Sequence, residues 1–536
     1  MKVADVVART LKAYGVRFAF GIPGNDVLET IRACEEAGIE FILAKSEPAA
    51  AFMADAVYQL TGAPAVLVLA LGPGLANAIS GIAGALMERS AMIVLSGEMA
   101  TAQHGVYTHQ VFDHVAAARP VTKWAAQLNP ARAAQQIAKA LDIALAHPAG
   151  PVLLNMPADQ VKAPTVETAI PGPPLALGTG LSAPAVTEAR ALIAGARRPL
   201  ALIGLGALIG GAAPAVQAFI RSHGMPVLAS YKAKGVVDEH DALCLGALGL
   251  SPVIDAANLA LIGEADLLVL IGFDPIELRD AWLDAWPSSL PCLSIDWSAA
   301  SHRVFPVGLQ AIGNVPQILH QLGHSGSATA DWPSLPLATL RDTVATIVRP
   351  RRPDKGISPA ALFAEVSAQA TADWIMTVDV GAHRILANHV VKCRVAGQLM
   401  QSNGLGCMGY AVPAAIGAQL VHPDRPVVAL VGDGCMLMTQ GELALAAERD
   451  LPIVIVVLND AALSLIKLKQ AKMQMVPRAV DFVSPRFDII GQGFGAVARR
   501  VETLAEFAAA LREAVTNHRF AVIDALIDPA EYMEQM

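Results

Sequence analysis

The sequence predicts an α/β protein of three doubly wound domains, each built on a parallel sheet, and three observations carry that reading. Its 536 residues amount to three or four domains at ~150 residues each. Short Val/Ile/Leu runs alternate with longer stretches of helical periodicity, and continuous apolar runs of this length mark parallel strands covered on both faces. The chain is 54% hydrophobic but only 5% aromatic, with 43 glycines, so Ala, Leu, Val and Gly have to fill the core. Charged residues make up 16%, below the usual ~25%, which excludes disorder and long coiled coils.

Taken in order, Val3, Val6, Val7, Thr10 and Leu11 recur at helical spacing and Gly15 stops that helix. Strands are expected at Val66–Ala70, Met92–Leu95, Leu200–Ile203, Leu267–Ile271, Val427–Val431 and Ile453–Leu458. Ala63–Met87 approaches the length of a membrane span, but Pro64, Gly72-Pro73-Gly74, Asn77 and Ser80 fit a strand, a turn and a buried helix; no membrane contact is expected. Pro/Gly/Thr/Ser-rich stretches at about 161–184 and 324–359 read as linkers and divide the chain into domains 1–165, 185–325 and 355–536. The first and third segments resemble each other. Each runs strand, glycine turn, helix ending in Glu-Arg (Glu88-Arg89, Glu448-Arg449), strand. Common βαβ architecture accounts for such a likeness equally well.

A net charge of −8 and the lack of a basic stripe leave no electrostatic footprint for nucleic acid. The six cysteines show neither metal-ligand spacing nor a disulfide framework, and no secretory signal opens the sequence, so a reducing cytoplasmic setting is expected.

The sharpest chemical signal is Gly432-Asp433-Gly434 after a buried strand, with Asn459-Asp460 closing the next strand, Asp460 lying 27 residues on from Asp433. Glycine lets backbone approach a phosphate, and a following helix offers it free N–H groups. In a parallel sheet both strand ends open on one edge, where ligands bind. Two side-chain oxygens there suit the octahedral demand of Mg²⁺.

These residues resemble the diphosphate-and-magnesium motif of thiamine diphosphate-dependent enzymes, most closely the acetolactate synthase and benzoylformate decarboxylase group. Gly21-Ile22-Pro23-Gly24, Gly72-Pro73-Gly74 with Asn77, and Gly406-Cys407-Met408-Gly409 match as well. The resemblance covers nearly the whole chain and implies the order pyrimidine-binding, central and diphosphate-binding domain. It implies Mg²⁺ on Asp433, Asp460 and the Ala462 carbonyl, although the second side-chain ligand in the family is most often asparagine. The diphosphate would lie on Gly434, Cys435 and the Asp379–His383 turn with Gly381 and His383. Pro23, Gly24, Gly72, Asn77, Gly406 and Leu463 would line the cofactor, and Met408 would bend it. Glu47 would be the acid that activates the cofactor's aminopyrimidine ring; read from sequence alone, it equally suits an acid complementing a helix N-terminus.

Gln110 matches a glutamine common in acetolactate synthases and pyruvate oxidases, and His109 is a catalytic candidate beside the reading of a surface histidine. Asn25-Asp26 and Leu463–Ile466 complete the expected substrate pocket, and Lys467–Lys472 reads as a mobile lid. Ile466 stands where simple pyruvate decarboxylases carry a protonating glutamate, which favours carboligation or an unusual substrate over plain decarboxylation to an aldehyde. Gly204-Leu205-Gly206-Ala207 offers a weak dinucleotide signature. The turn 272–277 lacks the arginine-rich pattern of flavin-binding members, so the reading is against FAD. The expected activity is thiamine diphosphate- and Mg²⁺-dependent decarboxylation and/or carboligation of a small-molecule 2-oxo acid by a homodimer or homotetramer. The alternative within the family is a benzoylformate-type decarboxylase or another C–C lyase. A nucleotide-binding oxidoreductase built on Gly204 and Gly206 and an inactive cofactor-binding scaffold are the rivals outside it.

Overall fold

The computed structural model describes residues 1–173, 178–299, 302–323 and 330–535. Part of each expected linker, including Pro174 and His324, lies outside these residues.

Three six-stranded parallel sheets form. The first contains β1 (Phe18–Ile22), β2 (Glu40–Leu43), β3 (Ala65–Leu69), β4 (Met92–Glu98), β5 (Trp124–Gln127) and β6 (Pro151–Pro157), in the order β2-β1-β3-β4-β6-β5. The second contains β7 (Pro199–Ile203), β8 (Val227–Ser230), β9 (Cys244–Leu248), β10 (Leu267–Ile271), β11 (Cys292–Asp296) and β12 (Leu309–Ile312). Its order, β9-β8-β7-β10-β11-β12, is that of a doubly wound dinucleotide fold. The third contains β13 (Ile375–Val378), β14 (Leu399–Gln401), β15 (Val427–Gly432), β16 (Ile453–Asn459), β17 (Val497–Val501) and β18 (Ala521–Leu526). It runs β14-β13-β15-β16-β18-β17, which repeats the first sheet strand for strand. The likeness between the first and third segments therefore extends to the whole sheet.

The central strands are apolar along their length because helices cover both faces: every residue of β3, β7 and β10 is buried. The first and third domains pack through small residues. The helix Glu47–Thr61 lies against the helix Ala411–Val421, and a Cβ on Gly417 would meet the Met53 carbonyl at 2.7 Å, so glycine is required for that approach. Tyr410 Oη donates to Asp55 Oδ2 across the contact at 2.8 Å.

All three domains meet at a buried ion pair. Lys232 Nζ of the central domain lies 2.8 Å from Glu88 Oε2 of the first. Glu88 Oε1 accepts the backbone N–H groups of Asn403 (2.6 Å) and Gly404 (2.9 Å) of the third. Low-dielectric surroundings demand this complete pairing.

One expectation changes. The second proline-rich stretch is not linker throughout: Ser334–Ile347 is a helix, because Leu337, Leu340 and Val344 share a face that packs on the central domain's core. Lys467–Lys472 makes up the last two thirds of a helix, Ser464–Lys472, with Lys467 Nζ 2.6 Å from Asp481. Among the described residues no helix is long and apolar enough to cross a membrane, and all six cysteines are unpaired.

Candidate active site

The candidate residues cluster at the carboxyl ends of strands, as they must when ligands enter an open parallel sheet. In the third domain Gly381 and His383 follow β13, Gly406 and Met408 follow β14, Asp433, Gly434 and Cys435 follow β15, and Asp460, Ala462 and Leu463 follow β16. They surround a cavity of about 120 Å³ lined by Gly381, His383, Met408, Asp433, Asp460 and Leu463, among others. Gly406 does not line it.

Asp433 is the best-held group. Its Oδ1 accepts Gly434 N–H at 2.7 Å, and its Oδ2 accepts Ala461 N–H at 2.7 Å and Asp460 N–H at 3.2 Å. Burial, then the Asp460 carboxylate, pushes its pKa up to about 7. Burial likewise raises Asp460 to about 6, with its Oδ2 taking the Ser464 hydroxyl at 2.5 Å. A buried and a half-buried carboxylate close enough for one to raise the other's pKa are electrostatically short of one cation. They are a pair and not a larger cluster: among the described residues no three His, Cys, Asp or Glu side chains converge as a metal site. The surrounding backbone leaves no room for side chains at its glycines. A Cβ on Gly434 would come within 2.8 Å of Leu463 Cδ2 and one on Gly432 within 2.9 Å of the His383 ring. His383 is buried, its Nε2 has no hydrogen-bond partner, and burial depresses its pKa to about 3, so the ring is neutral. Asp379, fully buried, accepts Val380, Gly409 and Ala411 N–H at 2.8–3.0 Å and thereby fixes the turn that carries Met408. Carboxylates, an orphaned imidazole and glycine backbone in one cavity fit a magnesium diphosphate.

The other half lies on the first sheet's corresponding edge. Pro23 and Gly24 follow β1, Glu47 follows β2, and Gly72 and Asn77 follow β3. Glu47 opens the helix Glu47–Thr61 behind the Ser46 N-cap, with proline in the first turn, and its Oε2 accepts Asn77 Nδ2 at 3.2 Å. Gln110 takes a positive φ of 61° and its carbonyl sits against Gly72, where a Cβ would meet it at 2.4 Å. His109 is exposed on the same loop. None of these first-domain residues lines the third-domain cavity.

Sequence reading missed two supports. His114 is buried, accepts Gly72 N–H on Nε2 at 3.2 Å and meets Ser96 and Asn155 through Nδ1 at 3.0 and 3.2 Å. Its Nδ1 therefore carries the proton, and burial lowers its pKa. Glu442 of the third domain accepts Lys45 N–H at 3.0 and 3.2 Å and the Ser46 hydroxyl at 3.5 Å, bracing the start of the Glu47 helix. Burial raises its pKa to about 7. The five-residue spacing of His104, His109 and His114 marks the segment but not which histidine is inside; Glu442 has no local signal.

In the central domain the glycine turn is consumed internally. Gly204 N–H goes to Ile271 O (3.0 Å), Leu205 N–H to Glu277 Oε2 (2.8 Å) and Gly206 N–H to Gly272 O (2.8 Å). A Cβ on Gly206 would stand 2.7 Å from Gly272 Cα, so backbone packing explains these glycines. A cavity of about 710 Å³ lies beside the turn, lined by Arg89, His147, Asp274, Asp296 and Trp297 among others.

Family comparison agrees with this architecture. Three models match in succession: thiamine pyrophosphate enzyme N-terminal TPP binding domain over residues 1–117, central domain over 186–322 and C-terminal TPP binding domain over 379–525. The chain belongs to the thiamine pyrophosphate-dependent enzymes. Among its relatives are an acetolactate synthase of Bacillus subtilis (strain 168), 29% identical across 98% of this chain and 93% of that protein, and the acetolactate synthase isozyme 3 large subunit of Escherichia coli (strain K12), 28% identical across 99% and 96%. A probable 2-ketoarginine decarboxylase of Pseudomonas aeruginosa is 29% identical across 96% and 91%.

Proposed function

We propose that this enzyme uses thiamine diphosphate and Mg²⁺ to decarboxylate a 2-oxo acid and to join the resulting acyl unit to a second carbonyl, in the manner of an acetolactate synthase. The observation that carries the reading is the Asp433–Asp460 pair inside a glycine-walled cavity with an unpartnered His383. Asp433, Asp460 and the Ala462 carbonyl would hold the cation. The Gly434 and Cys435 backbone and the Gly381–His383 turn would hold the diphosphate. The bound cofactor supplies the electron sink for the pair released with CO₂. Glu47, its Oε2 held by Asn77, would be the acid for activation, and Met408, carried by the Asp379-held turn, would hold the cofactor bent. Gln110 and His109, exposed on the loop beside Gly72, would meet the substrate. The central domain's spent glycine turn supports a structural role there rather than FAD binding.

Complete function needs both halves. The separation of Glu47 from the third-domain cavity supports a homodimer, or a tetramer of such dimers, in which the first domain of one chain meets the third of its partner. The six unpaired thiols suit a reducing, cytoplasmic compartment. A plain decarboxylase is the second reading, favoured by the 2-ketoarginine decarboxylase relative; the apolar Ile466 in the cavity wall speaks for carboligation.

The test is NMR product analysis with pyruvate, thiamine diphosphate and Mg²⁺, each omitted in turn, followed by 2-ketoarginine and aromatic 2-oxo acids. Acetolactate formed only with both cofactors is the expected result. An aldehyde product from any of these acids establishes the second reading, and no cofactor-dependent turnover on the whole panel refutes both.

A further inference from the structure

One polar group in the third-domain cavity has no role in the account above. Tyr532 follows β18 in the short helix Tyr532–Gln535, is 1% exposed and lines the cavity together with His383, Asp433 and Asp460. Its Oη has no hydrogen-bond partner. An unmade hydrogen bond on a buried hydroxyl forfeits its hydration without return, and native structures keep few such groups unless something outside the chain completes them.

The position of the phenol is fixed rather than accidental. Its ring belongs to the apolar cluster that includes Leu458, Ala382, Leu386 and Ile527. The preceding residue is an anchor: Glu531 Oε1 accepts Ala360 N–H at 2.6 Å, and Oε2 accepts the Ser358 hydroxyl at 2.8 Å and Arg351 N–H at 3.2 Å. The cavity carboxylates do not need the phenol, because backbone N–H groups and Ser464 already serve Asp433 and Asp460. Burial first, then the charges of Asp460, Glu531 and Asp433, raise its pKa well above the ordinary tyrosine value, so the hydroxyl keeps its proton and acts as a donor. A donor lining the same cavity as an unpartnered imidazole and two carboxylates that call for a cation is complementary to the anionic oxygens that such a cation carries in with it.

We infer that Tyr532 Oη donates a hydrogen bond to a phosphoryl oxygen of the diphosphate group taken by this cavity, on the same group that His383 Nε2 meets. The assignment rests on the proposed function for the identity of the whole cofactor, but it concerns the diphosphate alone.

The experiment is isothermal titration of full-length wild type and Tyr532→Phe with Mg²⁺-pyrophosphate, thiamine diphosphate and unphosphorylated thiamine, alongside ligand-free thermal unfolding. The expected result is about tenfold weaker binding of both diphosphate ligands by Tyr532→Phe, no change with thiamine, and an unchanged or higher ligand-free Tm. Wild-type affinity for both diphosphates in Tyr532→Phe overturns the assignment. So does a loss of affinity accompanied by a lower ligand-free Tm, which is what a merely structural hydroxyl would give. A wild-type chain that binds Mg²⁺-pyrophosphate but not thiamine diphosphate breaks the proposed function, while the Tyr532 comparison still reads on pyrophosphate. Binding of neither diphosphate by wild type overturns both.

Discussion

The first and third domains place their polar residues at the same addresses of the same strand order, and the residues at those addresses differ. After the first strand, one has Pro23-Gly24 and the other Gly381 through His383. After the third strand, one has Gly72-Pro73, where proline opens a helix, and the other has Gly432-Asp433, where an acid opens one. After the fourth, Glu98 turns back to its own Met99 N–H (2.8 Å) and to Asn155 (2.8 Å), whereas Asp460 faces the cavity with Asp433. The scaffold sets where a ligand meets the sheet; the strand-end residues decide which part of the ligand it meets. The third-domain residues line a cavity of their own, and the first-domain residues stand outside it.

The largest test of this division removes one residue from each half. Glu47→Gln is expected to lower turnover by about 10²–10⁴-fold with thiamine diphosphate binding and Tm intact, and Asp433→Ala to abolish Mg²⁺-dependent binding, both read by calorimetry and product formation. If the two edges meet between chains, unfolding and refolding an equimolar mixture of these two inactive variants restores about a quarter of wild-type activity. No recovery, with mixed dimers demonstrated by mass spectrometry, would place both halves of a site in one chain.

A smaller effect follows from the link between the halves. Glu442→Ala leaves Lys45 N–H and Ser46 without their acceptor and should cost about 1–3 kcal/mol of stability, measured by denaturant unfolding. It should also lower kcat about tenfold through a displaced Glu47. Asp460→Asn keeps an oxygen ligand while removing the charge that helps to raise Asp433. Mg²⁺ affinity is expected to stay within about tenfold of wild type, and a complete loss would exclude this position as a ligand.

The central domain supplies the control. Glu277 is buried against Leu205 N–H and the Ser230 hydroxyl, and burial pushes its pKa up to about 8 from 4.5. Between those values the unfolded chain gives up a proton that the folded chain keeps. The group's contribution to stability therefore falls as pH rises across that window and reaches its lowest level above about 8. Glu277→Gln should flatten this part of the stability profile and leave turnover unchanged; an unaltered slope in thermal unfolding between pH 5 and 9 would remove Glu277 as its source.

Strands were the most legible feature. Leu267–Ile271 is expected and found at the same bounds, and Val66–Ala70 is displaced by one residue, because a strand buried on both faces carries an uninterrupted apolar run. Glu47 at a helix start was readable from Ser46 and Pro48 on either side. The supports were not. Glu442 reaches back to Lys45 and His114 to Gly72, Tyr532 lines the cavity at the β15 and β16 ends, and such long-range neighbours leave no periodic trace. The helix Ser334–Ile347 was hidden for the opposite reason, since its flanking prolines outweighed the spacing of Leu337, Leu340 and Val344.

The buried contact of Lys232 with Glu88 bears on how such a chain can change over evolutionary time. A central domain imported from another protein without a cation at that spot would strand Glu88 in apolar surroundings, and losing one member of a buried pair costs about 3–5 kcal/mol. The Asn403–Gly404 backbone, held by the same carboxylate, would lose its anchor if Glu88 were replaced in compensation. Shuffling one domain therefore penalises the other two.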